Sequence, residues 1–409
     1  MNKRNTRRLS RLCMAGIASH AVVANATPLL FVPFMRLYGF TYIQFGILTA
    51  AGFGAQMAAD VVLVFFIDRL PARALVGAAS ALAFAGLVFY GVSPWLFAGG
   101  ALFCGIAVAT VVFAFAGGTL EVVLSGIADS LPEGRGGIVL LHTVYAWALV
   151  ALAVFLSVWM AVFGEKNWNI AVLLLAAVPA GVGLSLRGVR FPSKEASPAP
   201  RARTVFSPFY LFAVAAVFLG CGAEAVMNQW VAVFASEMIG AEWGFALGAA
   251  LFAVCLGAGG TVYVVRQRKR AVSYAALIVG ALAAFAAYLF AALLPWRIPA
   301  LVCACACGFF VGILSPGAMS AAGRGLPAAG GWMLASLAVS QDVGAALLPS
   351  AGSALAENFS VRACFLVLSA APLLAAVFLA LMARTGGKKR GLPLTFQENS
   401  AKHRGNDRQ

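Results

Sequence analysis

The chain has 409 residues, of which 62% are apolar and only 11% charged, with a mean hydropathy of +0.92. No soluble domain is built on that balance. The net charge of +15 is dispersed over short polar segments that topology and anionic headgroups account for, which argues against a nucleic-acid partner.

The N-terminal MNKRNTRRLSRLCMAG has the basic character of a signal peptide. The apolar segment behind it passes about twenty residues with no cleavage site, so it reads as a first span. Apolar stretches follow in chain order at 12–35, 42–67, 74–92, 95–128, 137–163 and 168–187, then at 207–236, 243–264, 272–294, 299–321, 332–355 and 360–383. Each is long enough to cross a hydrocarbon core of about 30 Å as a helix. The pattern predicts an all-α integral membrane protein with twelve transmembrane helices.

Alternating the loops between two sides places 25 Lys and Arg on the side of the N-terminus and four, Arg36, Lys166, Arg297 and Arg362, on the other. The positive-inside rule then predicts a multi-pass protein of the cell (inner or plasma) membrane with both termini cytoplasmic. Residues 188–206, GVRFPSKEASPAPRARTVF, have linker composition. The expected organisation is therefore a six-helix half at 1–187, a cytoplasmic linker at 188–206, a second six-helix half at 207–383 and a basic cytoplasmic tail at 384–409. Two six-helix halves are the arithmetic of a repeat that holds a substrate near the midplane.

Glu121 and Glu224 lie near the middle of apolar helices with no basic residue beside them. A carboxylate there costs about 2.5–3.5 kcal/mol on insertion scales, so it is expected to face the bundle interior and to act there. Asp60, Asp342, His20 and His142 complete the ionisable set inside the spans, and no Lys or Arg sits well inside one. Acids without embedded cations suit a proton or a positively charged group. Asn228 follows Glu224 by one helical turn and offers it a hydrogen bond. His20 reads as a polar packing residue. The eight cysteines all fall in or beside apolar helices, and alternate thiols of CACAC point about 200° apart, so they read as packing residues and not metal ligands. No cofactor is expected, and no nucleotide loop, metal cluster or catalytic triad suggests an enzyme.

The turn VLVFFIDRLPARALV resembles the cytoplasmic signature of the major facilitator superfamily, with Asp68, Arg69 and Arg73 on its charged positions and Val64 and Pro71 where glycine is usual. AGGTLEVVLSGIADSLPEGRGGIVLLHTVYAW and GCGAEAVMNQW are similar to the fourth, fifth and seventh helices of its fucose and glucose/galactose proton symporter group. Glu121, His142, Gly222, Glu224 and Trp230 fall on that group's recurrent positions, and Pro316 and Pro349 on those of its tenth and eleventh helices. The group's first-helix acid is replaced by His20, Asn25 and Thr27, and the asparagine after the fourth-helix acid by Ser125.

The resemblance implies the major facilitator fold and a monomeric carrier of a small-molecule substrate by alternating access. Glu121, Glu224, His142 and Asp342 are the expected proton-coupling or substrate-binding residues. Asn25, Asn228, Gln229 and Trp230 are expected at the substrate, and Asp68, Arg69 and Arg73 at a cytoplasmic gate. Two other readings stay open: a proton-coupled exporter of amphipathic or cationic compounds, and a membrane sensor that keeps the fold without turnover. The fifth helix, YAWALVALAVFLSVWM, lacks the Gly-Pro motif of drug antiporters.

Overall fold

The computed structural model describes residues 3–67, 70–129, 131, 137–191, 207–240, 244–269, 273–326 and 330–387. Among them all regular structure is helical, as a bilayer demands of backbone groups that have no water to bond. Eleven spans of 20 to 32 residues are long and apolar enough to cross a membrane. The twelfth is the 29-residue helix Gly330–Asn358, whose Ser336, Ser340, Gln341 and Asp342 lower its apolar content.

The first span is α1 (Lys3–Leu29) and α2 (Phe31–Tyr38), separated at Leu30 just after Pro28. Then come α3 (Tyr42–Phe66), α4 (Ala72–Leu96), α5 (Gly99–Asp129) and α6 (Gly137–Phe163). The sixth span is α7 (Trp168–Leu175) with α8 (Ala177–Ser185). The later spans are α9 (Pro208–Ile239), α10 (Gly244–Lys269), α11 (Tyr274–Leu293), and α12 (Arg297–Val311) with α13 (Leu314–Gly325). Last come α14 (Gly330–Asn358) and the pair α15 (Val361–Leu368) and α16 (Ala370–Gly387).

Local sequence sets where these helices begin and end. Thr41 and Gln44 form a reciprocal capping box at the start of α3, Ser207 caps α9 with Pro208 following, and Ser273 and Ser360 cap α11 and α15. Gly39 and Gly240 close α2 and α9 with φ of 68°. One boundary differs from the sequence reading. The Ser93-Pro94 pair does not end a helix: α4 runs through Pro94 to Leu96, and the chain turns at Gly99, where φ is 55°. Glycine's access to positive φ decides the turn.

The spans sort into inner and outer sets. The apolar window of the first span is 72% buried and that of the fifth 33%, because α1 runs through the bundle while α6 keeps a lipid-facing side. Outer α4 packs on α5, α7 and α8, and outer α11 packs on α12, α15 and α16. Helices approach closely where side chains vanish: a Cβ at Gly344 of α14 would overlap the Phe218 carbonyl oxygen of α9. The largest aromatic cluster sits on fully buried Trp168, edge-on to Phe34 at 4.8 Å and to Tyr90 at 5.6 Å, with its indole N–H donating to the Tyr38 hydroxyl at 2.9 Å. All eight cysteines are free, and Cys305 and Cys307 lie buried against backbone carbonyls.

Candidate functional site

A cavity of about 100 Å³ lies between the first six spans and the last six. It is lined by α1, α3, α5 and α6 on one side and by α9, α10, α13 and α14 on the other. The outer spans contribute nothing to it.

Seven of the expected site residues line this cavity: Glu121, Glu224, His142, Asp342, Asn25, Asn228 and Gln229. Trp230 does not. It is fully buried beyond the cavity floor, where it meets Tyr42 edge-on at 5.0 Å and Phe31 at 6.4 Å. The cause is helical geometry, since six residues from Glu224 turn Trp230 well off the glutamate's face. Arg73 is exposed in the first turn of α4, away from the cavity, and Asp68 and Arg69 lie outside the described residues.

Glu121 is held from both sides. His20 Nε2 of α1 stands 3.2 Å from its Oε2. From α14, Gln341 lines the cavity beside the same carboxyl. Ser315 donates to Gln341 Oε1 at 2.9 Å, which leaves the Gln341 NH₂ to face the glutamate. His142 lies near enough to interact with Glu121 electrostatically. The histidine can approach because residue 117 is glycine: a Cβ there would stand 2.9 Å from His20 Nδ1 and 2.7 Å from Val23 Cγ2. His20 therefore sits against the Glu121 carboxyl where the sequence suggested packing. Its Nδ1 is buried without a partner among the described residues.

Polar bonds bridge the two sides of the cavity. Asn228 of α9 donates to Asn25 Oδ1 at 2.7 Å, and Asn25 in turn donates to the Tyr145 hydroxyl at 2.7 Å. Thr49 of α3 donates to Gln229 Oε1 at 2.7 Å. Asn228 thus spends its amide across the bundle and not on Glu224, its neighbour one turn away. Glu224 makes no hydrogen bond or ion pair among the described residues, and it lines the cavity. Asp60 of α3 and Asp342 of α14, 5% and 4% exposed, lie close enough to interact with each other and with Glu121. Among the described residues no Lys or Arg lines the cavity.

The face away from the N-terminus is shut. Tyr42 N donates to Glu357 Oε2 at 2.9 Å, its hydroxyl reaches Glu237 at 3.5 Å, and Ser350 donates to the Gly46 carbonyl at 3.3 Å. These contacts join α3 to α9 and α14 below a floor of buried Phe31, Phe45 and Trp230. Residues missed by sequence reasoning include Gln341, Tyr145 and Gln56, all of which line the cavity. The dipeptide Gln341-Asp342 inside an apolar helix was the available signal for the first.

Eight inner helices around one central cavity, with four outer spans that do not reach it, define a multi-pass membrane protein of the major facilitator fold. Solved structures agree. FucP, a major facilitator superfamily transporter in its outward conformation and elsewhere described as the E. coli fucose:proton symporter, is similar with a TM-score of 0.69 and 16% identity, over 91% of this chain and 98% of that one. A bacterial homologue of the human lysosomal transporter Spinster, inward-facing and unoccupied, gives 0.71 and 14% over 96% and 100%. The nucleoside transporter NupG gives 0.68 and 11% over 92% and 99%. No protein-family model matches the sequence, and no curated protein does.

Proposed function

We propose that the protein is a secondary carrier that moves a small polar solute across the cell membrane by alternating access, coupled to protons. The observation that carries this reading is Glu121, set 3.2 Å from His20 of the first six spans and facing Gln341 of the last six inside a cavity sealed at one face. A proton taken by this carboxyl weakens its pairing to His20. The hydrogen bonds that span the cavity are then the ones that must exchange as the two sides rock.

In this reading residues 1–187 and 207–383 are the two rocking halves, with a cytoplasmic linker and tail, both termini cytoplasmic and the monomer as the working unit. Asp68, Arg69 and Arg73 serve the cytoplasmic gate, and the buried acids Asp60 and Asp342 approach each other from the two halves beside Glu121. The solute is neutral or cationic, because a lining without Lys or Arg gives an anion no partner.

The second reading, proton-driven export of cationic compounds, draws on that same uncompensated acidity. Uptake of labelled polar solutes into proteoliposomes with and without an imposed pH gradient decides between them. Solute accumulation driven by an inward proton gradient supports uptake, and solute exchange against an outward proton flux supports export. Silence across a broad panel refutes both.

A further inference from the structure

The two glutamates of the cavity differ in what they touch. Glu121 stands 3.2 Å from His20 with Gln341 and His142 close by, so its charge already has a partner. Glu224 has none among the described residues. The amides nearest to it in sequence are committed elsewhere: Asn228 to Asn25, and Gln229 to Thr49 and Ser353. A carboxylate that has left water is costly until a donor reaches it. Among the described residues no side chain supplies that donor, and Glu224 lines the cavity.

Resting on the carrier reading, we infer that the solute carries a protonated amine and that Glu224 receives it, while Glu121 handles the proton. An ammonium brings three donors to a carboxylate that accepts at two oxygens. Tyr145 and Tyr263 line the same cavity, and aromatic rings of this kind can attract a cation. The remainder of the solute is neutral and hydrogen-bonding, matched to a lining that is polar but, among the described residues, without Lys or Arg. A zwitterion or phosphate is disfavoured, because its anionic end would lie among carboxyls with no Lys or Arg. The chemical class is therefore a small hydroxylated amine.

The test uses the purified full chain and matched pairs of probes: ethanolamine against ethylene glycol, serinol against glycerol, and glucosamine against glucose and N-acetylglucosamine. Binding is read by thermal stabilisation, and transport by counterflow in proteoliposomes. At least one amine should bind and be exchanged in preference to its neutral counterpart. Glu224→Gln should weaken that amine by about tenfold to a hundredfold, as expected for a lost charge-assisted bond, while Glu224→Asp keeps the preference. The inference is overturned if no amine binds, if neutral partners bind as well as amines, or if folded E224Q binds amines as the parent does. Should E224Q aggregate, the parent's selectivity between matched probes decides alone. Proton-driven accumulation of a neutral probe without any amine selectivity sinks this inference and leaves the carrier reading standing. No binding and no transport of any probe sinks both.

Discussion

Gly46 sits four residues into α3, on the sealed face, opposite Ser350 and Ser353 of α14. A Cβ at this position would lie 2.8 Å from Ser353 Cβ and 2.9 Å from its Oγ. Carbon atoms in good contact stand about 3.5–4.0 Å apart, so even alanine must push α3 and α14 apart by close to an ångström, and leucine by more. Overpacking of this kind costs about 1–3 kcal/mol. The cost falls on the sealed conformation alone, because opening the face removes the clash. At about 1.4 kcal/mol per decade, Gly46→Leu shifts the population toward the state open on that face by about fivefold to 150-fold.

Thr49→Cys is a suitable reporter, since Thr49 is 8% exposed and bonded to Gln229 across the same seam. Its labelling by a membrane-impermeant maleimide, corrected for the native cysteines, should quicken by that factor when Gly46→Leu is added. Gly46→Ala should give a smaller gain. Unchanged labelling in a folded Gly46→Leu protein would refute the idea that this seam is a gate that opens.

Two further predictions concern stability. Trp168→Ala removes a fully buried indole from the Phe34, Tyr38 and Tyr90 cluster, and the loss of about 3–5 kcal/mol should appear as a clear drop in the melting temperature of the detergent-solubilised protein. Arg36→Ala breaks the 2.9 Å pair with Glu165, but the partners are 35% and 23% exposed, so screening holds the effect to at most about 1 kcal/mol. A melting curve within error of the parent at physiological salt is the expected result.

The spans were legible in the sequence because length and apolarity are properties of one helix at a time. Glu121, Glu224, His142 and Asp342 were legible as unusual for the same reason, and all four line the cavity. What escaped depends on which helices become neighbours. His20 looked like packing because nothing in α1 shows that Gly117 of α5 leaves room for its ring beside Glu121. Asn228 looked like a partner for Glu224 because a one-turn spacing makes that bond possible, yet Asn25 of α1 takes it. Trp230 was read with the site, but its place on the helix turns it to the floor. The continuous α4 through Pro94 shows the converse: a local breaker was overruled, and the positive φ of Gly99 set the turn.

The account stands on one proton being handled by Glu121 and His20. In proteoliposomes with a pH gradient of one unit, one proton per solute is worth about 1.4 kcal/mol and should concentrate the transported solute about tenfold. Glu121→Gln removes the ionisable group while keeping its shape. Its accumulation ratio should fall to about one while exchange of solute across the membrane persists. Accumulation by Glu121→Gln to the parent's level would contradict the account.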